Sequence, residues 1–185
     1  MAGNIDHKFI SDLEGGSKTS GYVPAAEVSK SGVTIATGFD LGQRGDADLK
    51  ALSFSDDLIA KLKPFLGKTG KEAQQALEKS PLTVTPEQAS EIDKAVKKNH
   101  VEQITLKYDT VAKNSKKFFE LPAEAQTAIA SVSFQYGANL ATATPKFWEA
   151  AIAQDWKECT KLLKNFGDAY PTRRKKEAAL LEAIK

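Results

Sequence analysis

The chain has a single cysteine, Cys159, and only two histidines, His7 and His100, in 185 residues. An internal disulfide is therefore excluded. A structural zinc site, or a nucleophilic site built on Cys–His or Ser–His–Asp, has too few ligands and bases to draw on. Cys159 falls at helical spacing between Trp156 and Leu163 and reads as core. Long apolar runs are also missing, so no segment reads as a membrane span or as inserting into a bilayer. Met1–Lys8 lacks the apolar stretch of a secretory signal. The expectation is a protein made in the cytoplasm and delivered by other means, or a domain cut from a larger protein. Excess charge of one sign is absent too: 26 Lys and Arg against 24 Asp and Glu leave a net charge of +2. Duplex binding relies on neutralising many phosphates, and no nucleic-acid motif is visible, so a nucleic-acid partner is disfavoured.

What is present is a good globular composition, 41% hydrophobic and 27% charged, long enough to bury a real core in one domain of two closely packed lobes. Ile5, Phe9 and Leu13 predict a first helix over roughly residues 4–14. Residues 15–32, rich in Gly, Ser and Lys, read as loop with short extended pieces. The β-branched stretch over 33–39 predicts a strand or hairpin. Helices follow almost without break. Ser55 reads as the cap of a helix carrying Leu58, Ile59, Leu62 and Phe65, with Pro64 ending or kinking the run. A short helix is expected near 71–79. Thr85-Pro86-Glu87-Gln88 is a capping box ahead of a long helix whose register wavers near Asn99 and His100. Pro122 opens a helix that is apolar nearly all round, and hence central, and Gly137 closes it. Thr144-Pro145, Asp155 and Pro171 start three more. The fold class is α+β, mostly α: a small N-terminal α/β lobe, about 1–50, and a larger helical lobe, about 51–185. A cleft between the lobes is the expected place for a polymer.

Glu14 carries the most chemistry. A carboxylate at a helix C-terminus faces the negative end of the macrodipole, which disfavours ionisation and suits a general acid. Asp40 supplies a second carboxylate and Thr34 a hydroxyl on the β-like stretch Val33–Gly42. Two carboxyls in different environments are what glycosidic-bond cleavage uses. Taken singly, each residue has a plainer reading. Glu14 could be a solvated helix end, Asp40 a turn former, Thr34 an ordinary strand residue and Gln135 a cap for neighbouring carbonyls. His7 and His100 read as surface residues. Arg173-Arg174-Lys175-Lys176 reads as a solvated first turn, although cations at a helix N-terminus call for a nearby carboxylate.

Four ordered motifs change that balance: Leu13-Glu14-Gly15, Val33-Thr34-Ile35-Ala36-Thr37-Gly38, Phe134-Gln135-Tyr136-Gly137, and Pro171-Thr172-Arg173-Arg174 with Glu177. Together they resemble the phage-type lysozyme (muramidase) family. The acidic residue that those enzymes place shortly before the strand Thr is missing here, where the only acid between Glu14 and Asp40 is Glu27. Asp40, six residues after Thr34, resembles instead the pesticin branch, shared by bacteriocins and by toxin domains fused to type VI secretion spikes. The resemblance implies a lysozyme-like fold and a peptidoglycan hydrolase, used as an antibacterial effector or bacteriocin domain, that needs no metal and no cofactor. It implies Glu14 as acid, Asp40 as base or electrostatic partner and Thr34 as holder of the attacking water. Gln135 and Tyr136 would bind substrate, and Arg173 would pair with Glu14 and orient it, with Arg174 as fallback. Glu27 stays in reserve as second carboxylate. Action in the periplasm of a target cell and a periplasmic immunity protein are further implications. A phage endolysin, a non-catalytic wall-binding module and a lytic transglycosylase remain open.

Overall fold

In the computed structural model, residues 4–24, 30–112 and 116–184 are described. Among them are ten α-helices and a three-stranded antiparallel sheet. They form two units, Glu14–Asn99 and Met1–Leu13 with His100–Lys185. From sequence the lobe boundary is expected near residue 50. The division falls instead inside one helix, α5 (Pro86–Val111). The wavering register at Asn99 and His100 has a physical reason: Ala89 and Ile92 serve the core of one unit, while Ile104 and Tyr108 serve the core of the other. The helix stays continuous while its buried face changes core. Its start is the expected capping box. The Gln88 N–H donates to Thr85 Oγ1 at 3.2 Å, and the Thr85 N–H donates to Gln88 Oε1 at 3.0 Å.

In the unit 14–99, strands β1 (Lys18–Tyr22), β2 (Thr34–Ala36) and β3 (Phe39–Asp40) lie in that order. Cα partners are Lys18 with Ala36 and Tyr22 with Thr34 on one side of β2, and Thr34 with Asp40 and Ile35 with Phe39 on the other. All three residues of β2 are buried, as suits a short central strand. The polar sequence of β1 gives little strand signal; its pairing with β2 makes it one. Helices α2 (Asp46–Ala51), α3 (Asp56–Leu62) and α4 (Gly70–Lys79) complete this unit. Ser55 stands at the N-cap position of α3 as expected, but its hydroxyl makes no cap bond and donates instead to Glu91 Oε2 at 3.1 Å; α3 passes into a 3-10 turn, Lys63–Phe65, at Pro64. α2 escapes the sequence pattern because its six residues bury only Leu49.

Two backbone segments approach closely at Gly32 and Gly42. A Cβ on Gly32 would enter the backbone of Gly42 and lie 2.5 Å from the Lys68 carbonyl oxygen; one on Gly42 would lie 2.7 Å from the Gly32 nitrogen. Only glycine fits at this crossing.

The other unit holds α1 (His7–Leu13), α6 (Ala123–Tyr136), α7 (Leu140–Ala143), α8 (Pro145–Ile152), α9 (Trp156–Lys164) and α10 (Pro171–Glu182). Every residue of α6 from Ala125 to Ser133 is buried, as its apolar circumference predicts. Its polar members are satisfied. The Asn4 N–H donates to Gln126 Oε1 at 3.0 Å and the Asp6 N–H to Thr127 Oγ1 at 2.9 Å, docking the segment ahead of α1 on α6. Asp155 caps α9 by accepting from the Glu158 N–H at 3.0 Å. Cys159 is fully buried; burial first, then Asp155 and Glu158, push its thiol up to about 12, so it is inert core. Trp148 is buried, and Trp156 and Phe166 pack at the margin of the same core. His100 departs from expectation. It is half-buried, stacks on Phe134 with ring centroids 4.4 Å apart, and sets Nε2 2.9 Å from Ser133 Oγ. Burial holds its pKa below the ordinary value.

Replacing Gly32 with Ala should force two backbone segments apart and cost about 3 kcal/mol or more, beyond the usual range for overpacking. Gly45→Ala, where the nearest atom is 3.8 Å away, should cost under about 1 kcal/mol. Denaturant unfolding midpoints of the two variants check the difference.

Candidate active site

Glu14 follows α1 directly and is half-buried. Gly15 and Gly16, at φ +79° and +87°, take the left-handed conformation that ends the helix there. Thr34 and Asp40 face each other across β2 and β3, so the hairpin brings the hydroxyl and the second carboxylate together. The Thr34 hydroxyl is buried and donates to the Gly32 carbonyl at 3.2 Å. Asp40 Oδ1 accepts from the Gly32 N–H at 2.9 Å and from the Gly42 N–H at 2.7 Å. Both of these bonds fall on Oδ1, which braces the glycine crossing. The hairpin tip is tied down where the Thr37 N–H donates to Asp93 Oδ1 at 2.9 Å. Glu27 lies outside the described residues.

The remaining expected residues, Gln135, Tyr136 and Arg173, belong to the other unit, where they join a buried polar cluster on α6 and α10. Glu177 is fully buried and Arg174 is 1% exposed. Glu177 Oε1 accepts from the Ser131 hydroxyl and from Arg173 Nε at 3.1 Å, and its Oε2 accepts from Arg174 Nη1. Arg173 Nη2 donates to the Ser131 carbonyl at 2.8 Å. Arg174 Nε donates to Asp168 Oδ2 at 2.8 Å, and its Nη2 donates to Gln135 Oε1. The Tyr136 hydroxyl donates to the same Asp168 Oδ2 at 2.7 Å. The local carboxylates that the basic start of α10 calls for are thus Glu177 and Asp168. Within its own unit Arg173 is held by Glu177 and Ser131.

Charge and burial compete in this cluster. Burial alone would raise the Asp168 carboxyl, but hydrogen bonds from Tyr136, Arg174 and the Tyr170 N–H outweigh it and its pKa is lowered. Burial would lower the Arg174 guanidinium, but Glu177 and Asp168 more than compensate and hold it charged. Burial and the bond to Asp168 raise the Tyr136 phenol. Asp168 and Ser131 carry no motif, and nothing in their local sequence marks them out. Among the described residues, no group of three or more His, Cys, Asp or Glu side chains is placed to hold a metal ion, and no helix is long and apolar enough to cross a membrane.

One family profile, that of pesticin, described as the C-terminal bacterial toxin homologue of phage lysozyme, matches residues 4–157. The chain belongs to the pesticin family. A search of curated proteins gave no match. The pesticin match includes Glu14, Thr34, Asp40, Gln135 and Tyr136, and it stops short of Asp168, Arg173, Arg174 and Glu177. A mostly helical chain with one small antiparallel sheet agrees with the lysozyme-like α+β fold expected for a pesticin domain. Kinship with phage lysozyme suggests a glycoside hydrolase of the muramidase type, with peptidoglycan as substrate.

The lowered pKa of Asp168 makes it a source of acid sensitivity. Its folded value lies below the ordinary 3.8, so its contribution to stability is full above about 3.8 and is lost as pH falls through the lower folded value. The Tm deficit of Asp168→Asn should therefore be largest above pH 4 and shrink at lower pH. Thermal melts of both proteins across an acid pH series check this.

Proposed function

We propose that this domain is a muramidase that cleaves the β-1,4 bond between N-acetylmuramic acid and N-acetylglucosamine. Glu14 protonates the glycosidic oxygen, Asp40 acts as base or electrostatic partner on the opposite ring face, and Thr34 helps to hold the attacking water. The reaction inverts the anomeric centre, with the carboxyls separated by about 6.5–9.5 Å to admit that water. Gln135 and Tyr136 contact the glycan, and Arg173 orients the acid. No metal or cofactor takes part. The domain serves as an antibacterial effector or bacteriocin, of the type carried on type VI secretion spikes. It acts in the periplasm of a target cell, and a periplasmic immunity protein protects its producer.

The observation that supports this reading best is the register of the hairpin within a pesticin-family match. Thr34 and Asp40 are cross-strand partners, so the unusual position of the acid after the Thr still sets it beside the hydroxyl. Asp40 then has two duties on two oxygens: Oδ1 accepts the Gly32 and Gly42 amides, and the proposed chemistry falls to Oδ2. An asparagine keeps an Oδ1 acceptor for the two amides and replaces the charged Oδ2 with an uncharged NH2. Asp40→Asn is therefore a clean test of catalysis, whereas Asp40→Ala would also release two amides, at about 1–3 kcal/mol each if they stay buried.

Purified sacculi digested by wild type should release reducing-end muropeptides, identified by mass spectrometry. Glu14→Gln and Asp40→Asn should remain folded and lose at least about a hundredfold in rate, the lower end for loss of an acid or base. Anhydro ends in place of reducing ends would make the domain a lytic transglycosylase. Full activity in Asp40→Asn would move the base to Glu27, and sacculus binding without release would leave a wall-binding module.

A further inference from the structure

Gln135 ends the chain of hydrogen bonds that begins at Glu177. Its Oε1 accepts from Arg174 Nη2. A guanidinium has donors only, so the carboxamide can meet it with oxygen and not with nitrogen. The opposite orientation would set N–H against N–H. Arg174 cannot turn to accommodate that orientation, because Asp168 holds its Nε at 2.8 Å and Glu177 holds its Nη1. Its guanidinium carbon also sits 4.7 Å from the centre of the Phe166 ring and 5.4 Å from that of Tyr136. Tyr136 is fixed in turn by its bond to Asp168 at 2.7 Å. One end of Gln135 is thus fully determined. The other end, Nε2, makes no hydrogen bond among the described residues, on a side chain that is only half-buried.

We infer that Arg174 is a positioning residue that fixes Gln135 as a pure hydrogen-bond donor, so that its Nε2 recognises a carbonyl oxygen of peptidoglycan. This rests on the peptidoglycan reading above. Amide carbonyl oxygens are acceptors in that polymer and come from two sources, the acetamido groups of the sugars and the amides of the stem peptide. An oriented donor is worth more than a free one, since an amide able to rotate would offer oxygen as often as nitrogen. Arg173, one residue earlier, is directed elsewhere, to Glu177 and Ser131.

The test uses soluble glycan fragments carrying stem peptides, with wild type, Gln135→Glu, Arg174→Lys and the double variant. Kd is measured by calorimetry, KM and kcat by fragment release, and folding by thermal melting. Gln135→Glu keeps an acceptor for Arg174 and removes the donor. It should melt at or above wild type, raise Kd and KM about tenfold and leave kcat within about twofold. Arg174→Lys has too few donors in the right plane to hold Asp168, Glu177 and Gln135 together. It should raise Kd to a similar degree alone, and by under about twofold when added to Gln135→Glu, because the two act through one contact. The Gln135→Glu penalty should vanish on de-N-acetylated glycan if the acetamido carbonyl is the partner, or on stem-free glycan if the peptide is. An unchanged Kd in Gln135→Glu, fully additive effects of the two substitutions, or a penalty that survives on both altered glycans overturns the inference. Wild type that binds without cutting sinks the hydrolase reading alone, since the Kd comparison still decides this one. Wild type that neither binds nor cuts overturns both.

Discussion

A guanidinium and a carboxylate removed from water together, Arg174 and Glu177, constrain everything around them in the unit that contains α6 and α10. Each would be costly alone in that environment; removing either one from a buried pair typically costs about 3–5 kcal/mol. The remaining lone pairs and N–H groups must then be filled, and this is why the neighbours are polar at positions where a central helix would otherwise be apolar. Ser131 on α6, Asp168 ahead of α10 and Gln135 near the end of α6 each satisfy one edge of the pair. The basic start of α10, unfavourable against its own helix dipole, is compatible with the fold because two carboxylates lie within reach. The register of α10 on α6 is consequently set by hydrogen-bond geometry as well as by apolar packing, and geometry of this kind tolerates little slippage.

The unit 14–99 solves a related problem with backbone in place of side chains. Gly32 and Gly42 bring two chain segments closer than any side chain would allow, and their amides converge on one oxygen of Asp40. A carboxylate that the proposed chemistry needs is thereby also a brace for the loop that presents it. The same economy is found at Thr34, whose hydroxyl bonds to the Gly32 carbonyl while its strand position pairs it with Asp40. Groups held this way require no reorganisation before they act, which is the physical content of preorganisation.

Much of this was legible in the sequence. The capping box at Thr85–Gln88, the Asp155 cap, the proline starts of α8 and α10, and the all-round apolar α6 are local signals, and local signals survive into the fold because they are satisfied within a few residues. Glu14, Thr34, Asp40 and Gln135 stood out because their spacing within ordered motifs resembles a family to which the chain proves to belong. β1, α2 and α7 were not legible. β1 is polar and becomes a strand only by pairing, while α2 and α7 are too short to show a period. His100 read as a surface residue because nothing near it in sequence announces Ser133 or Phe134, which meet it from another helix.

By itself, then, the sequence determined the class of fold, the caps and breaks of most helices, the inert burial of Cys159 and the identity of the candidate carboxylates. The fold class, caps and burial follow from periodicity, turn chemistry and residue type, which act over short chain separations; the carboxylates follow from the resemblance of ordered motifs to a family. Only the tertiary structure decided which partner each charged or polar group has. It turned α5 from one core to the other at Asn99 and His100, brought Asp168 to Arg174 and Tyr136, and set the carboxamide of Gln135 with its oxygen inward. The reason is one of range. Desolvation of a charge is felt wherever the charge is buried, but the groups that compensate it can come from any part of the chain that folding brings near.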